Sequence, residues 1–252
     1  MTRRAEILDE LLEHGYRSVP ELAASFDVDA STIRRHLARL EELNLVQRTH
    51  GGALPVRQSD TPYTFKETLH QAQKAVIGAA VAAMIDDGQT LLLDSGSTTL
   101  EVAKHLTAEG LTIITNDLRI GTEVADRKLG QLIMLGGQLL PHVYTLCGPA
   151  ALAQLAGLRV TTAVFGADSI LKEGVFNTNA QEVELKQRMR DRALRAYLVA
   201  DSSKFGREAI YQVFDNDAFD GILTDDGSDP AVAGWFPVPV TRVPVPSGHA
   251  RT

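Results

Sequence analysis

Between residues 89 and 224 the chain alternates short, mostly apolar runs with segments of helical spacing, and nothing else in it narrows the fold as much. The runs fall at 90–94, 111–115, 131–135, 162–166, 197–200 and 221–224, each of strand length. Helical patterns lie between several of them, at 98–106, 118–127, 149–155 and 180–195. Strands that are apolar on both faces must be covered on both faces, and a mostly parallel sheet flanked by helices does this. The spacing therefore predicts an α/β domain, with one more edge strand near 238–243. Ligands of such sheets bind beyond the carboxyl ends of the strands, so chemistry is sought in the residues that follow each run.

Four runs end in polar clusters. The first is DSGSTT (Asp94, Ser95, Gly96, Ser97, Thr98, Thr99), at a strand-to-helix junction. Small residues there let the backbone approach an anion, and free N–H groups with the helix dipole favour one. The hydroxyls of Ser95, Ser97, Thr98 and Thr99 add donors. The glycine spacing and lysine of a Walker A loop are missing, as is any GxGxxG, which argues against a dinucleotide. The second cluster is Thr115, Asn116 and Asp117. The third is Gly166, Ala167 and Asp168, followed by GVFN at 174–177. The fourth, at 201–206, is DSSKFG and carries Lys204. Glu182 and Lys186 stand at i,i+4 on a helical segment, the spacing of a surface ion pair or of two groups framing a site. Each cluster alone is as readily a turn or a cap; four together at strand ends are harder to dismiss.

The first 57 residues have a different character. Ile7, Leu8, Leu11 and Leu12 recur at helical spacing before Gly15. Ser18 and Glu21 form a capping-box pattern for a second helix ending near Phe26. After a tight turn at 27–29, Ser31 is expected to cap a third helix with Ile33, Leu37, Leu40 and Leu43 on one face. Thr32, Arg34, Arg35, His36 and Arg39 are left on the other, facing solvent or DNA. A short strand at 46–49 and the turn-forming Gly51 and Gly52, beside Arg48 and His50, suggest a wing. The net charge of −7 at first disfavours a nucleic-acid partner. Position outweighs the total, because phosphate contacts are local: from Ser31 to Arg57 there are five arginines (34, 35, 39, 48 and 57) against Glu41 and Glu42. The competing reading is an ordinary three-helix subdomain with a solvated basic face.

The expected organisation is a winged helix-turn-helix at 1–57, a linker and the start of a connecting helix at 58–74, and a ligand-binding and oligomerisation domain at 75–252. The connecting helix, about 64–86, is expected to stripe Phe65, Leu69, Val76, Ala80 and Met84. No apolar stretch reaches the roughly 20 residues of a membrane span. The N-terminal segment lacks a signal-peptide apolar region, and the single Cys147 excludes an internal disulfide. The expected compartment is the cytoplasm. The histidines have no metal-ligand spacing, and no nucleophile elbow is present.

The segment STIRRHLARLEELNLVQRTHGGA, residues 31–53, resembles the DNA-binding signature of the DeoR family of sugar-responsive bacterial repressors. His36 stands where that family usually has aspartate, and Asn44 where it often has glycine. DSGSTT, TND, GADSI, EVELKQRM and ADSSKFG are similar to the ligand-facing segments of the family's effector domain, whose fold is similar to that of ribose-5-phosphate isomerase. The resemblance implies a non-enzymatic regulator with no cofactor. Its partners would be double-stranded operator DNA, bound by Ser31, Thr32, Arg34, Arg35, His36, Arg39, Arg48, His50, Gly51 and Gly52, and a phosphorylated sugar. The sugar phosphate would meet residues 94–99 together with Asn116, Asp117, Asp168, Glu182, Lys186 and Lys204. A homodimer or homotetramer is implied. The alternative is a sugar-phosphate isomerase fused to a DNA-binding unit, since Asp94, Asp168, Glu182, Lys186 and Lys204 supply the residue types an enediol mechanism needs.

Overall fold

The structure, a computed structural model, describes residues 3–43, 45–56, 63–140 and 143–246. The chain forms two compact units, Met1–Gln71 and Ala72–Thr252. Asn44, Arg57 and the expected boundary at 57/58 lie outside the described residues.

The first unit contains α1 (Arg3–His14), β1 (Arg17–Ser18), α2 (Val19–Phe26), α3 (Ala30–Glu42), β2 (Val46–Arg48), β3 (Gly52–Pro55) and α4 (Tyr63–Thr68). Its core gathers the apolar faces of the first three helices: Ile7, Leu8, Leu11, Leu22, Ile33, Leu37 and Leu40, with Val46 from the sheet. Both halves of the capping box on α2 form, Glu21 N–H donating to Ser18 Oγ at 3.3 Å and Ser18 N–H to the Glu21 carboxylate at 2.7 Å. Asp27 follows in the left-handed region at φ 48° and turns the chain. The cap of α3 is Asp29, not Ser31, so the helix begins one residue before Ser31. The Asp29 carboxylate accepts Thr32 N–H at 2.9 Å, and an ionised acceptor outcompetes a hydroxyl there. The strands run antiparallel in the order β1-β3-β2. At Gly52 a Cβ would lie 2.2 Å from Arg17 O, so only glycine lets β1 close on the wing.

The second unit contains α5 (Gln71–Ala82), β4 (Thr90–Leu93), α6 (Ser97–His105), β5 (Leu111–Thr115), α7 (Leu118–Arg127), β6 (Gly130–Met134), β7 (Gln138–Leu139), β8 (Leu146–Cys147), α8 (Pro149–Leu155), β9 (Val160–Phe165), β10 (Ser169–Leu171), β11 (Gly174–Asn177), α9 (Val183–Asp191), β12 (Ala193–Val199), β13 (Tyr211–Phe214), β14 (Gly221–Asp225) and β15 (Val240–Val243). Seven strands pair in parallel in the order β15-β14-β12-β9-β4-β5-β6. Alternate side chains pass to opposite faces. Leu92, Ile114, Phe165, Leu198 and Ile222 enter one core, and Leu91, Leu93, Ile113, Val164, Val199 and Leu223 enter the other. The first core also holds an edge-to-face contact of Phe165 with Phe214, centroids 5.3 Å apart. Among the described residues no helix is long and apolar enough to cross a membrane.

Three expectations are corrected. The connecting helix is two helices, broken where His70 takes φ 51°. The break resets the phase, so Ile77, Val81 and Ile85 are buried while Val76 and Ala80 are half-buried and Met84 is exposed. The helix expected over 180–195 stops at Asp191, because Ala193 already pairs with Val160 of β9; sheet pairing overrides the helical propensity of Ala-Leu-Arg. The antiparallel sheet β10-β11-β13 and the hairpin β7-β8 were not expected.

At Gly78 of α5 a Cβ would meet the Glu101 backbone of α6 at 2.6 Å. Alanine is intrinsically better in a helix by about 1 kcal/mol, yet overpacking against backbone costs about 1–3 kcal/mol. Gly78→Ala is therefore expected to lower the urea midpoint; a raised midpoint would show that the helices part freely.

Candidate functional site

On α3, Ile33, Leu37 and Leu40 face the core, which leaves Arg34 and Arg35 exposed. Neither arginine has an acidic partner among the described residues. Arg39 pairs with Glu42, and Arg48 with Glu41, whose Oε2 lies 3.5 Å from its NH1 and whose Oε1 accepts its N–H at 3.1 Å. Exposed pairs of this kind contribute about 0–1 kcal/mol, so exchange for a DNA phosphate costs little. The hydroxyls of Ser31 and Thr32 both donate to Asp29, the latter at 2.9 Å. These bonds hold the Asp29 carboxyl below the usual carboxylate range. His36 is half-buried; burial, then Arg35, Arg4 and Arg3, push its pKa down. In the wing, His50 and Gly51 are exposed and Gly52 is buried.

The second cluster of candidates sits at the carboxyl ends of β4, β5 and β9. Lys186, from α9, reaches Asp94 at the end of β4, donating to Oδ2 at 2.6 Å and to Gly166 O at 3.0 Å. Gly166 N–H donates to the same Asp94 oxygen at 3.1 Å. Lys186 is 4% exposed and Asp94 1%, so water contributes almost nothing to either charge. Burial pushes the Asp94 carboxyl up, against the opposing Lys186 ammonium. Burial pulls Lys186 down, but Asp94, Glu182 and Asp168 together hold it above the ordinary lysine range. Asp94 Oδ1 is shut from solvent and accepts no hydrogen bond.

Around this pair the other strand ends close in. Ser95 Oγ donates to Asp117 Oδ2 at 2.7 Å and lies 2.6 Å from Thr145 Oγ1. A hydroxyl has one proton, so Thr145 is the donor in the second contact. Asp117 Oδ1 accepts the N–H groups of Arg119 and Ile120 at 2.7 and 3.1 Å, capping α7, and burial raises its pKa against these bonds. Asn116 Nδ2 donates to Leu146 O at 3.1 Å. Asp168 accepts from Thr178 N–H and Oγ1 at 3.1 and 2.8 Å, and Glu182 from Asn177 Nδ2 at 2.7 Å. Lys204 stands on the Ser202–Lys204 turn after β12, two strands from β4. No described contact joins it to Asp94 or Lys186.

The α6 N-terminus has Gly96 as its cap and no capping side chain, so its first N–H groups have no acceptor within the helix. The expectation of four hydroxyl donors is narrowed. Ser95 donates to Asp117 and Thr99 to Gly96 O at 2.8 Å. The hydroxyls of Ser97 and Thr98 make no hydrogen bond among the described residues and keep their protons. An incoming anion thus meets backbone N–H groups and two hydroxyls. Sequence reasoning missed Thr145, which carries no signal of its own. It quoted Asn177 only within GVFN; an amide directly after a strand was the available cue. Among the described residues no group of His, Cys, Asp and Glu could hold a metal.

Residues 3–59 match the family model described as the DeoR-like helix-turn-helix domain, and residues 69–226 match the DeoR C terminal sensor domain. The chain is 33% identical over 228 residues to YgbI, an uncharacterized HTH-type transcriptional regulator of Escherichia coli, covering 89% of each protein. It is 32% identical to the glycerol-3-phosphate regulon repressor of the same species, over 88% of this chain and 90% of that one. It is 30% identical to the transcriptional repressor GlcR of Bacillus subtilis, over 88% and 87%. Among solved structures, ribose 5-phosphate isomerase A from Neisseria gonorrhoeae overlays 52% of this chain and 52% of its own, with a TM-score of 0.39 and 11% identity.

Two expected outcomes follow from the geometry. Lys186→Met strands the Asp94 carboxylate and is expected to cost about 3 kcal/mol in urea unfolding, most of it recovered in the Asp94→Asn/Lys186→Met double variant; a loss below about 1 kcal/mol would mean that the pair holds nothing together. By NMR, His36 is expected to titrate below 6.5. Its folded pKa lies under its unfolded one, so its contribution to stability is present above the unfolded value and lost as pH falls through the folded one. A midpoint at or above 6.5 contradicts the environment described.

Proposed function

The chain belongs to the DeoR family of transcriptional regulators, and on that premise we propose that it is a repressor whose hold on operator DNA is released by a phosphorylated sugar. The observation that carries this reading is the match of both family models, DNA-binding and sensor, to one chain in that order. α3 enters a major groove with Arg34, Arg35 and Thr32 at bases or phosphates; Ser31, His36 and Arg39 flank them. The wing, with Arg48, His50, Gly51 and Gly52, lies along the backbone. The exposure of Arg34 and Arg35 without acidic partners supports that placement.

The effector's phosphate docks at the N-terminus of α6, on the N–H groups and hydroxyls of Ser97 and Thr98, with Ser95, Gly96 and Thr99 shaping the loop. Asp94, Asn116, Asp168 and Glu182 face its carbon chain, Asp117 and Lys186 hold the frame, and Lys204 approaches the anion. A relative named for the glycerol-3-phosphate regulon supports a phosphorylated ligand. The protein acts as a homodimer or homotetramer, because a single winged helix holds DNA weakly. A hundredfold loss of operator affinity needs only about 2.7 kcal/mol of effector preference for the released arrangement. The relatives named above are regulators, which supports sensing without turnover. Sustained aldose–ketose interconversion by the purified protein would favour the isomerase reading instead.

The test is a mobility shift on the DNA upstream of the protein's own gene, at stated salt, across a panel of sugar phosphates. Specific binding released by one compound is expected; absence of specific binding would sink the proposal. Arg35→Ala is expected to weaken binding and, if Arg35 meets phosphate, to reduce the slope of log affinity against log salt by about 1. Unchanged affinity and slope would remove Arg35 from the interface.

A further inference from the structure

Among the described residues of the sensor unit, six side-chain oxygens are buried without a hydrogen-bond partner, and three of them, Asp94 Oδ1, Asn116 Oδ1 and Asn177 Oδ1, belong to the strand-end cluster around Lys186. Their residues are 1%, 2% and 3% exposed. The orientation of both amides is fixed by chemistry. Asn116 Nδ2 meets the Leu146 carbonyl and Asn177 Nδ2 the Glu182 carboxylate, partners that only accept, so the oxygens must turn the other way. The three belong to one neighbourhood. Glu182, bonded to Asn177, acts electrostatically on Lys186, which is bonded to Asp94. It acts likewise on Cys147, next to the Leu146 that Asn116 holds. Folded proteins seldom leave such acceptors unmatched, and three in one place ask for donors from outside the chain.

The donors are neutral. Lys186 sits 2.6 Å from the other oxygen of the Asp94 carboxylate, and an ammonium brought to Oδ1 would face it across a single carboxyl group. We propose that Asp94, Asn116 and Asn177 read hydroxyl groups of the effector, so that the sensor selects a polyhydroxylated phosphate by the protons its carbon chain donates. This rests on the sensing role proposed above and adds Asn177 as a specificity-determining residue. An analogue lacking one of these hydroxyls leaves a buried acceptor unmatched on binding, a loss of about ten- to a hundredfold in affinity.

Calorimetry on the full-length protein tests this with ribose 5-phosphate, fructose 6-phosphate, glucose 6-phosphate and galactose 6-phosphate, the deoxy analogues of whichever binds, and inorganic phosphate. At least one deoxy position is expected to lose about ten- to a hundredfold. In Asn177→Leu that difference is expected to vanish at one position, with the affinity for inorganic phosphate unchanged. Deoxy analogues that bind as tightly as their parents overturn the proposal and leave the phosphate site standing. Equal weakening of parent, analogue and inorganic phosphate in the variant makes Asn177 structural and overturns it too. If no phosphate compound binds the wild type, the sensing role falls first and this inference with it. The wild-type series decides the matter even if the variant does not fold.

Discussion

A lysine and an aspartate taken out of water together are costly to bury, and Lys186 with Asp94 stands at the point where three elements of the sensor unit meet. The desolvation of each ion amounts to several kcal/mol, and it is offset by the close Lys186–Asp94 contact and by the bonds both make to Gly166. Asp94 takes the Gly166 N–H, Lys186 takes the Gly166 carbonyl, and the two close on each other. One residue, Gly166, is thus held through the peptide units on both sides of it, and the ends of β4 and β9 are fixed with α9 laid across them. The loop that begins at Ser95 and the turn that carries Asp168 both start from this knot.

Beyond the knot, the site is organised by who holds each proton. Thr145 gives its proton to Ser95, Ser95 gives its own to Asp117, and Asp117 spends its other oxygen on the start of α7. The chain of bonds runs inward, away from any ligand. It stiffens the loop and leaves the backbone N–H groups and the hydroxyls of Ser97 and Thr98 as the donors open to the proposed effector. Asp94 Oδ1, Asn116 Oδ1 and Asn177 Oδ1 remain unmatched on the side of Lys186, so the proposed site has donors at the helix N-terminus and acceptors at the strand ends.

Most of the sheet was legible in the sequence because apolar runs that are buried on both faces leave a signal needing no knowledge of neighbours. The helices Leu118–Arg127 and Pro149–Leu155 were legible at their starts, since Asp117 caps one and Pro149 sits in the first turn of the other. The short strands Ser169–Leu171, Gly174–Asn177 and Tyr211–Phe214 are too brief to show alternation and exist through their pairing with each other. The site was legible as a list and not as a set of partners. Glu182 and Lys186 read as a pair at helical spacing, whereas Lys186 reaches Asp94, 92 positions away, and Glu182 takes Asn177. Thr145 comes from the hairpin side of the sheet, and no local rule connects it to Ser95. The misplaced cap of α3 has a local cause, a choice between Asp29 and Ser31 that only the competition for Thr32 N–H settles.

The acidic residues beside the basic face of the first unit have a consequence for how a regulator finds its place on a chromosome. Arg39 and Arg48 each keep a glutamate at hand, and only Arg34 and Arg35 on α3 present charge without one. If α3 reads DNA as proposed, such a face in a chain of net charge −7 grips arbitrary duplex weakly, since that grip is almost wholly electrostatic. Dwell time at wrong sites is then short, and residence is decided by what the helix reads in the groove. A sparingly charged reader gives up some speed of capture and spends less of its time lost.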